Sequence, residues 1–239
     1  SSVSYEKDGV KFTREVLASR PDQVLVVKIT ANKPKSIFLE VDLVSQLRPV
    51  ISTNGSDQLV MQAKAPARVD PSYYNQQGRE PIAWEDVSGC NGMRVRTLLK
   101  AIPTQGEVSV VDNHLQITAA TEVVLYLSAA TSFNGFDRCP DKDGLDEKAM
   151  ALNRLNAALA KPYRDLREDH IAAYRNFFNR VVFELNNSVN ANVNSKIPSD
   201  LRLKFYSYGN EDPKLEEFFF QYGRYLLISA SDPKGSPAN

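Results

Sequence analysis

The chain has 239 residues, 29 Lys+Arg against 29 Asp+Glu, 42% hydrophobic residues and 24% charged residues. That is enough chain for one or two domains with sizeable cores. The balanced charge excludes the basic surplus of a nucleic-acid binder or a polybasic membrane anchor, and the composition is that of a folded chain rather than a disordered one.

Over the first ~133 residues the pattern is that of β-strands. Val3 and Tyr5 precede the turn signal Asp8-Gly9, and Val10, Phe12 and Arg14 alternate after it, which predicts a hairpin. Further strands are predicted over Gln23–Thr30, Ser36–Val44, Gln58–Ala63 and Met93–Ile102. Val108–Val111 and Leu115–Thr118 flank Asp112-Asn113-His114 as a second hairpin, and Glu122–Ser128 closes the series. Its Val123–Leu127 portion is the longest uninterrupted apolar run, far below the ~20 residues of a membrane-spanning helix. Strands spaced by turn signals, with no helix between them, predict an antiparallel sandwich rather than βαβ units.

The connection from Pro66 to Gly92 is unusually long for a compact domain, and it carries Tyr73, Tyr74 and Trp84. Long internal loops of this kind are usually functional or disordered. The two cysteines, Cys90 and Cys139, are too few for a disulfide scaffold or a four-cysteine zinc site. One bridge is compatible with an oxidising compartment, but spacing alone does not show that the two thiols meet.

After Phe133 the period becomes helical. Ala149, Leu152, Leu155 and Leu159 mark a helix over Leu145–Ala160. Pro162 opens a second helix with the stripe Tyr163, Leu166, His170, Tyr174 and Phe177. Val181–Leu185 suggests a short strand, the Asn/Ser-rich stretch 186–195 a linker, and Ser199 the cap of a short helix ending near Phe205. A last helix spans Asp212–Ser229, with Leu215, Phe218, Phe219, Tyr222 and Leu226 on one stripe. Phe220 and Leu227 lie about 130° round from it. A helix apolar on two faces belongs inside a larger assembly. With a strand beginning almost at residue 1 and no initiator Met, the expectation is an excerpt lacking neighbours at both ends; oligomerisation is the alternative.

Several segments together resemble the family 95 glycoside hydrolases. They are Tyr5–Val27, Ala65–Asn75 (APARVDPSYYN), Thr131–Asp137 (TSFNGFD) and Phe220–Asn239 (FQYGRYLLISASDPKGSPAN). That family comprises α-L-fucosidases, with some members acting on α-L-galactosides. The resemblance implies a mainly β fold with helices: a partial antiparallel β-sandwich over 1–136, a helical linker with a short strand over 137–211, and the first helix of an (α/α)6 catalytic barrel from 212 to 239. It also implies an inverting hydrolysis of terminal α-1,2-linked L-fucose, with a Glu as general acid and an Asp, aided by two Asn, activating water. Two groups on opposite faces of the sugar are what inversion requires. Pro237-Ala238-Asn239 resembles the start of a Pro-Ala-Asn-Leu-Gln-Gly stretch, so all four catalytic positions are expected beyond Asn239 and none is assigned here. The implied partners are the rest of the parent enzyme and a fucosylated glycan. The implied location is periplasmic or secreted, and no cofactor or metal is implied.

Local chemistry adds little catalysis. His114 and His170 are the only histidines, without His or Cys at ligand spacing, and read as a turn residue and a hydrogen-bonded core residue. Asp137, Asp141, Asp143 and Glu147 fail the register of a calcium loop and read as a solvated loop before a helix. Asn54-Gly55-Ser56 and Asn186-Asn187-Ser188 match the glycosylation sequon, a pattern too short to assign a role. The sugar-contact candidates are Trp84, Tyr73 and Tyr74 as flat apolar faces, Asp70 and Asn75 as polar partners, and Asn134 and Phe136 at the strand-to-helix junction. The competing reading of these aromatics is cement between sandwich and barrel. Two other functions remain open at this stage: a free-standing carbohydrate-binding module and a structural or interaction module.

Overall fold

The computed structural model describes residues 1–74, 78–185 and 196–231. Asn75, the linker at 186–195 with its sequon, and Pro237-Ala238-Asn239 lie outside the described residues. The chain divides into two compact units, Ser1–His170 and Ile171–Asn239.

The first unit begins with β1 (Ser2–Lys7), β2 (Val10–Ser19), β3 (Val24–Ala31), β4 (Ile37–Val41), β5 (Val50–Thr53) and β6 (Gln58–Lys64). It continues with β7 (Arg68–Val69), β8 (Ile82–Ala83), β9 (Arg94–Thr104), β10 (Glu107–Val111), β11 (His114–Ala120) and β12 (Glu122–Thr131). Then come α1 (Glu147–Leu159) and α2 (Tyr163–Phe178), whose last turns belong to the second unit. A seven-stranded sheet has the order β1-β2-β3-β12-β9-β6-β5, a three-stranded sheet the order β10-β11-β4, and β7 pairs with β8. All pairings are antiparallel. The sequence pattern thus predicts the observed fold, a mainly β, antiparallel sandwich followed by helices.

The central strands of the large sheet are buried on both faces. Val123, Leu125, Leu99, Leu59, Leu115 and Ile117 form the core between the two sheets. Val124, Tyr126, Leu98, Val60 and Val26 meet Ala151, Leu155, Ala158 and Leu166 of the helices on the other side. This explains the unbroken apolar run in β12: successive side chains point to opposite faces, and both faces are dry. Both predicted hairpins form. Asp8 (φ 53°) and Gly9 (φ 68°), then Asp112 (φ 49°) and Asn113 (φ 64°), take the left-handed backbone that a type I′ turn demands.

Four expectations are corrected. The buried side of α1 is Ala151, Leu155 and Ala158, while Leu152 is 45% exposed and Ala149 is also exposed. Small side chains let the helix lie close to the sheet, so Ala151 and Ala158 share the contact face with Leu155 while Leu152 turns away. His114 starts β11 instead of sitting in the turn, with its Nδ1 3.3 Å from Glu40 and 3.7 Å from Asp42. Ser199 is the first residue of α3 (Ser199–Ser207), which Pro198 precedes as cap. Val181–Leu185 is not a strand. Its backbone is instead hydrogen-bonded by side chains of α4 (Pro213–Ala230): Arg224 donates to the Val181 carbonyl (3.0 Å), Gln221 donates to that of Phe183 (3.4 Å), and Glu217 accepts from the Leu185 N–H (3.2 Å). Residues 217, 221 and 224 share one helix face, which satisfies an extended segment without a ladder.

In the second unit Asp212 caps α4, accepting from the Leu215 N–H at 3.0 Å while Arg202 grips both its oxygens at 2.9 Å. Leu215 is buried, but Phe218, Phe219, Phe220, Tyr222, Leu226 and Leu227 are each 41–58% exposed. The two predicted apolar faces of this helix are therefore open within its own unit.

His170 is partly buried on α2 and hydrogen-bonded to the backbone of Ala18; burial, the larger effect, holds its pKa below the usual 6.5. The folded protein thus takes up the proton less readily than the unfolded chain. Its contribution is fully present above pH 6.5 and is lost as pH falls through the lowered folded-state value. Thermal melts from pH 8 to pH 5 should show a falling Tm that His170→Gln flattens over that window. An unchanged pH slope in the variant would contradict this assignment.

Candidate functional site

The candidate residues lie on two connections, 66–92 between β6 and β9 and 132–146 between β12 and α1. Strand register puts the two side by side. Lys64 pairs with Arg94 and Thr131 with Val95, so adjacent strands release both connections at one end of the large sheet. Cys90 and Cys139 then form a disulfide between them, with Cα atoms 5.5 Å apart. Sequence left this pairing open; the shared sheet end is what brings the thiols together.

Around the disulfide is a polar junction that sequence reasoning missed. Arg94 donates through Nε to Glu147 (3.2 Å) and through its terminal nitrogens to the carbonyls of Pro140 (3.4 Å), Asp141 and Leu145 (3.4 Å). Lys64 (3.0 Å) and Asn91 (3.3 Å) donate to the Asp141 carboxylate. The hydrogen bond from Lys64, above all, holds the Asp141 carboxyl below its ordinary value. Ser132, fully buried, accepts from the Arg94 N–H (2.9 Å), and its carbonyl accepts from the Leu145 N–H (3.0 Å). Gly144 sits against the carbonyls of Pro140 and Ser132, and Gly92 against that of Ala65, where any Cβ would collide with backbone. Only glycine permits these two close approaches.

The candidate residues take different roles in this frame. Asp70 is clamped at the neck of the long loop, where Arg79 (3.0 Å) and Arg68 (3.3 Å) both approach one oxygen and its own N–H donates to the Pro81 carbonyl (2.8 Å). Asn134 donates to the Asp143 carbonyl at 2.8 Å and so braces the second connection. Trp84 carries the Arg48 guanidinium over its ring at 4.1 Å. Tyr73 (89% exposed), Tyr74 and Phe136 (98% exposed) project from the two connections. The disulfide thus places the loop bearing Trp84, Tyr73 and Tyr74 beside the loop bearing Phe136. It does not make Asp70 or Asn134 available, since both are already engaged. The acidic residues before and at the start of α1 serve the same frame: Asp141 and Glu147 receive cations and do not converge on an ion. Among the described residues no group of three His, Cys, Asp or Glu side chains could hold a metal. What the arrangement offers is a braced loop pair presenting flat apolar surfaces, which suits contact with sugar rings or with another protein surface.

Comparison with known proteins follows the same division of the chain. Residues 1–135 match the glycosyl hydrolase family 65 N-terminal domain, over half of the chain. The chain belongs to the glycosyl hydrolase family defined by this N-terminal domain. In the same polypeptide, residues 162–239 match the glycosyl hydrolase family 95 catalytic domain, which bears out the family 95 resemblance. Alpha-L-fucosidase 2 of Arabidopsis thaliana is 32% identical over 244 aligned positions, covering 100% of this chain and 28% of that protein. A second relative, named "Probable alpha-fucosidase A", from Aspergillus niger, is 28% identical over 95% of this chain and 26% of its own length. The chain thus spans little more than a quarter of the curated relatives it matches. The glycosyl hydrolase N-terminal domain accounts for the sandwich. The catalytic-domain match begins at residue 162, within what the resemblance assigns to linker helices.

Proposed function

We propose that this chain is the non-catalytic portion of an inverting α-L-fucosidase that releases terminal α-1,2-linked L-fucose from glycans. The single observation that carries the reading is the order of matches along one chain, an N-terminal glycosyl hydrolase domain followed by family 95 catalytic-domain sequence, with relatives named as fucosidases across the whole length. In this reading the sandwich supports the catalytic barrel, and its braced loops shape the approach of the glycan. The general acid and the water-activating carboxylate lie in the barrel. We further propose export to a periplasmic or extracellular compartment, a reading supported by the Cys90–Cys139 pairing, since such bonds persist in oxidising surroundings.

The test is fucose release from 2′-fucosyllactose, followed by NMR of the first-formed anomer. The intact protein is expected to liberate β-L-fucose, the inverted product. The isolated 239-residue chain is expected to release none, and release by that chain would overturn the non-catalytic assignment. Trp84→Ala in the intact enzyme should raise KM several-fold with little change in kcat if the loop contacts the glycan, the signature of lost uniform binding. Unchanged Michaelis parameters would remove Trp84 from substrate recognition.

A further inference from the structure

The helix side of the large sheet is covered unevenly. Over β2, β3 and β12 it is closed by α1 and α2. α1 also covers Val60 and Leu98, but toward the β5 edge, beside Gln62 and Arg96, two adjoining cavities of about 330 and 410 Å³ remain open. Arg96 and Lys148 line both of them and so form their common wall.

Cations outnumber carboxylates on this face, where Glu147 is the acidic residue among the lining side chains. Arg48, Lys64, Arg94, Arg96 and Lys148 line the cavities. Lys64 and Arg94 are neutralised by Asp141 and Glu147. Arg48, Arg96 and Lys148 have no carboxylate partner among the described residues. Arg94 and Arg96, two apart on β9, point to the same face of the sheet, yet their situations are opposite. Arg94 is fully engaged by the junction, whereas the buried Nη1 of Arg96 has no hydrogen-bond partner. A buried guanidinium donor left without a partner is costly and calls for an explanation. Nη1 itself is closed to solvent, so a ligand in the cavities would meet the Nε–Nη2 edge, whose fork matches the two oxygens of a carboxylate or sulfate.

The second cavity has a different chemistry. Ser52 and Asn54 line it beyond Arg96, offering a hydroxyl and an amide with no added charge. Cations on one side and neutral polar groups on the other fit a ligand with an anionic group attached to a polyhydroxylated body.

We propose that this open face of the sheet binds an acidic saccharide. Its carboxylate or sulfate is received by Arg96 and assisted by Lys148 and Arg48, while its hydroxyls meet Ser52 and Asn54. The site lies wholly within the first unit and does not rest on the fucosidase reading, because the ligand need carry no fucose.

Titration calorimetry of the intact protein at low ionic strength tests it with four probes: trigalacturonate, a sulfated galactose oligosaccharide, neutral maltotriose and inorganic sulfate. Saturable binding of either acidic oligosaccharide, at least about tenfold tighter than maltotriose or inorganic sulfate, supports the proposal, and the tighter of the two identifies the anionic group. Failure of both acidic probes to bind overturns it, as does inorganic sulfate binding as tightly as they do. Arg96→Gln should weaken binding about tenfold or more, the loss of a bidentate charged contact, with Tm unchanged or raised because an unsatisfied cation has been removed. Arg96→Lys should recover part of the affinity. A variant of Arg96 that lowers Tm while leaving affinity intact would make this a structural residue and sink the assignment. Should Arg96→Gln fail to fold, Lys148→Gln on the exposed side of α1 takes its place, and unchanged affinity there counts against the site. Fucose release is a separate readout, so failure here leaves the hydrolase reading untouched.

Discussion

Replacing Arg94 by Ala is expected to lower the unfolding free energy by about 3 kcal/mol, the low end of what breaking a buried pair costs because Arg94 is itself one-third exposed. The reason is the fate of Glu147. Its side chain is only 6% exposed, and Arg94 is its cation. Without the guanidinium, a carboxylate stays buried at the start of α1 with nothing to replace lost water. The carbonyls of Pro140, Asp141 and Leu145 lose their donor at the same stroke. Urea unfolding should show the loss as a lower midpoint with an unchanged m-value. The double variant Arg94→Met with Glu147→Leu should recover most of it, since an apolar pair leaves no orphaned charge. A single-variant loss below about 1 kcal/mol would mean that the junction is solvated and that Glu147 finds other partners. Hydrogen exchange adds a local readout: the Leu145 amide, held by the Ser132 carbonyl, should exchange faster in Arg94→Ala than amides of β12 do.

This junction also shows what sequence could and could not disclose. The strands were legible because alternation and the paired turn residues at Asp8-Gly9 and Asp112-Asn113 are local signals. The doubly buried β12 announced itself by an apolar run. The terminal helix was legible down to its two apolar faces. By contrast β5, four residues at the edge of the sheet, is too short to show a period. The contact face of α1 was misread because Ala151 and Ala158 look neutral until a sheet lies against them. Val181–Leu185 has strand composition but takes its hydrogen bonds from Glu217, Gln221 and Arg224, a circumstance no local pattern encodes. Arg94 and Arg96 look alike in sequence, as solvent-facing cations on an alternating strand. Only the partner 53 residues downstream, Glu147, separates the structural arginine from the one left without a hydrogen bond. Of the candidate site, the loops that carry it were legible from length and aromatic content. That Asp70 and Asn134 are internal braces was not.

Removing the disulfide, by Cys90→Ala with Cys139→Ala or by reduction, is expected to cost about 2–4 kcal/mol, or roughly 5–10 °C in Tm for a chain of this size. The cysteines stand 49 residues apart in sequence, and the loop they close holds β9 to β12 together with Asn91, Arg94 and Ser132 of the junction. Chain entropy alone gives about 4 kcal/mol for a closed loop of that length. The native fold already brings the two connections together at one sheet end, so the bridge restrains mainly the unfolded chain, and the strand ladders should survive its loss. Far-UV circular dichroism is therefore expected to stay the same while Tm drops. The local effect should be confined to 66–92 and 132–146, where limited proteolysis is expected to find new cuts. If those connections shape the approach of a glycan, the reduced intact enzyme should show a raised KM with kcat retained, whereas loss of kcat alone would place their effect on the barrel. The same variant bears on compartment. A protein isolated from its native location with both thiols alkylatable before reduction would argue against export, and the stabilisation described here would then be absent in the cell.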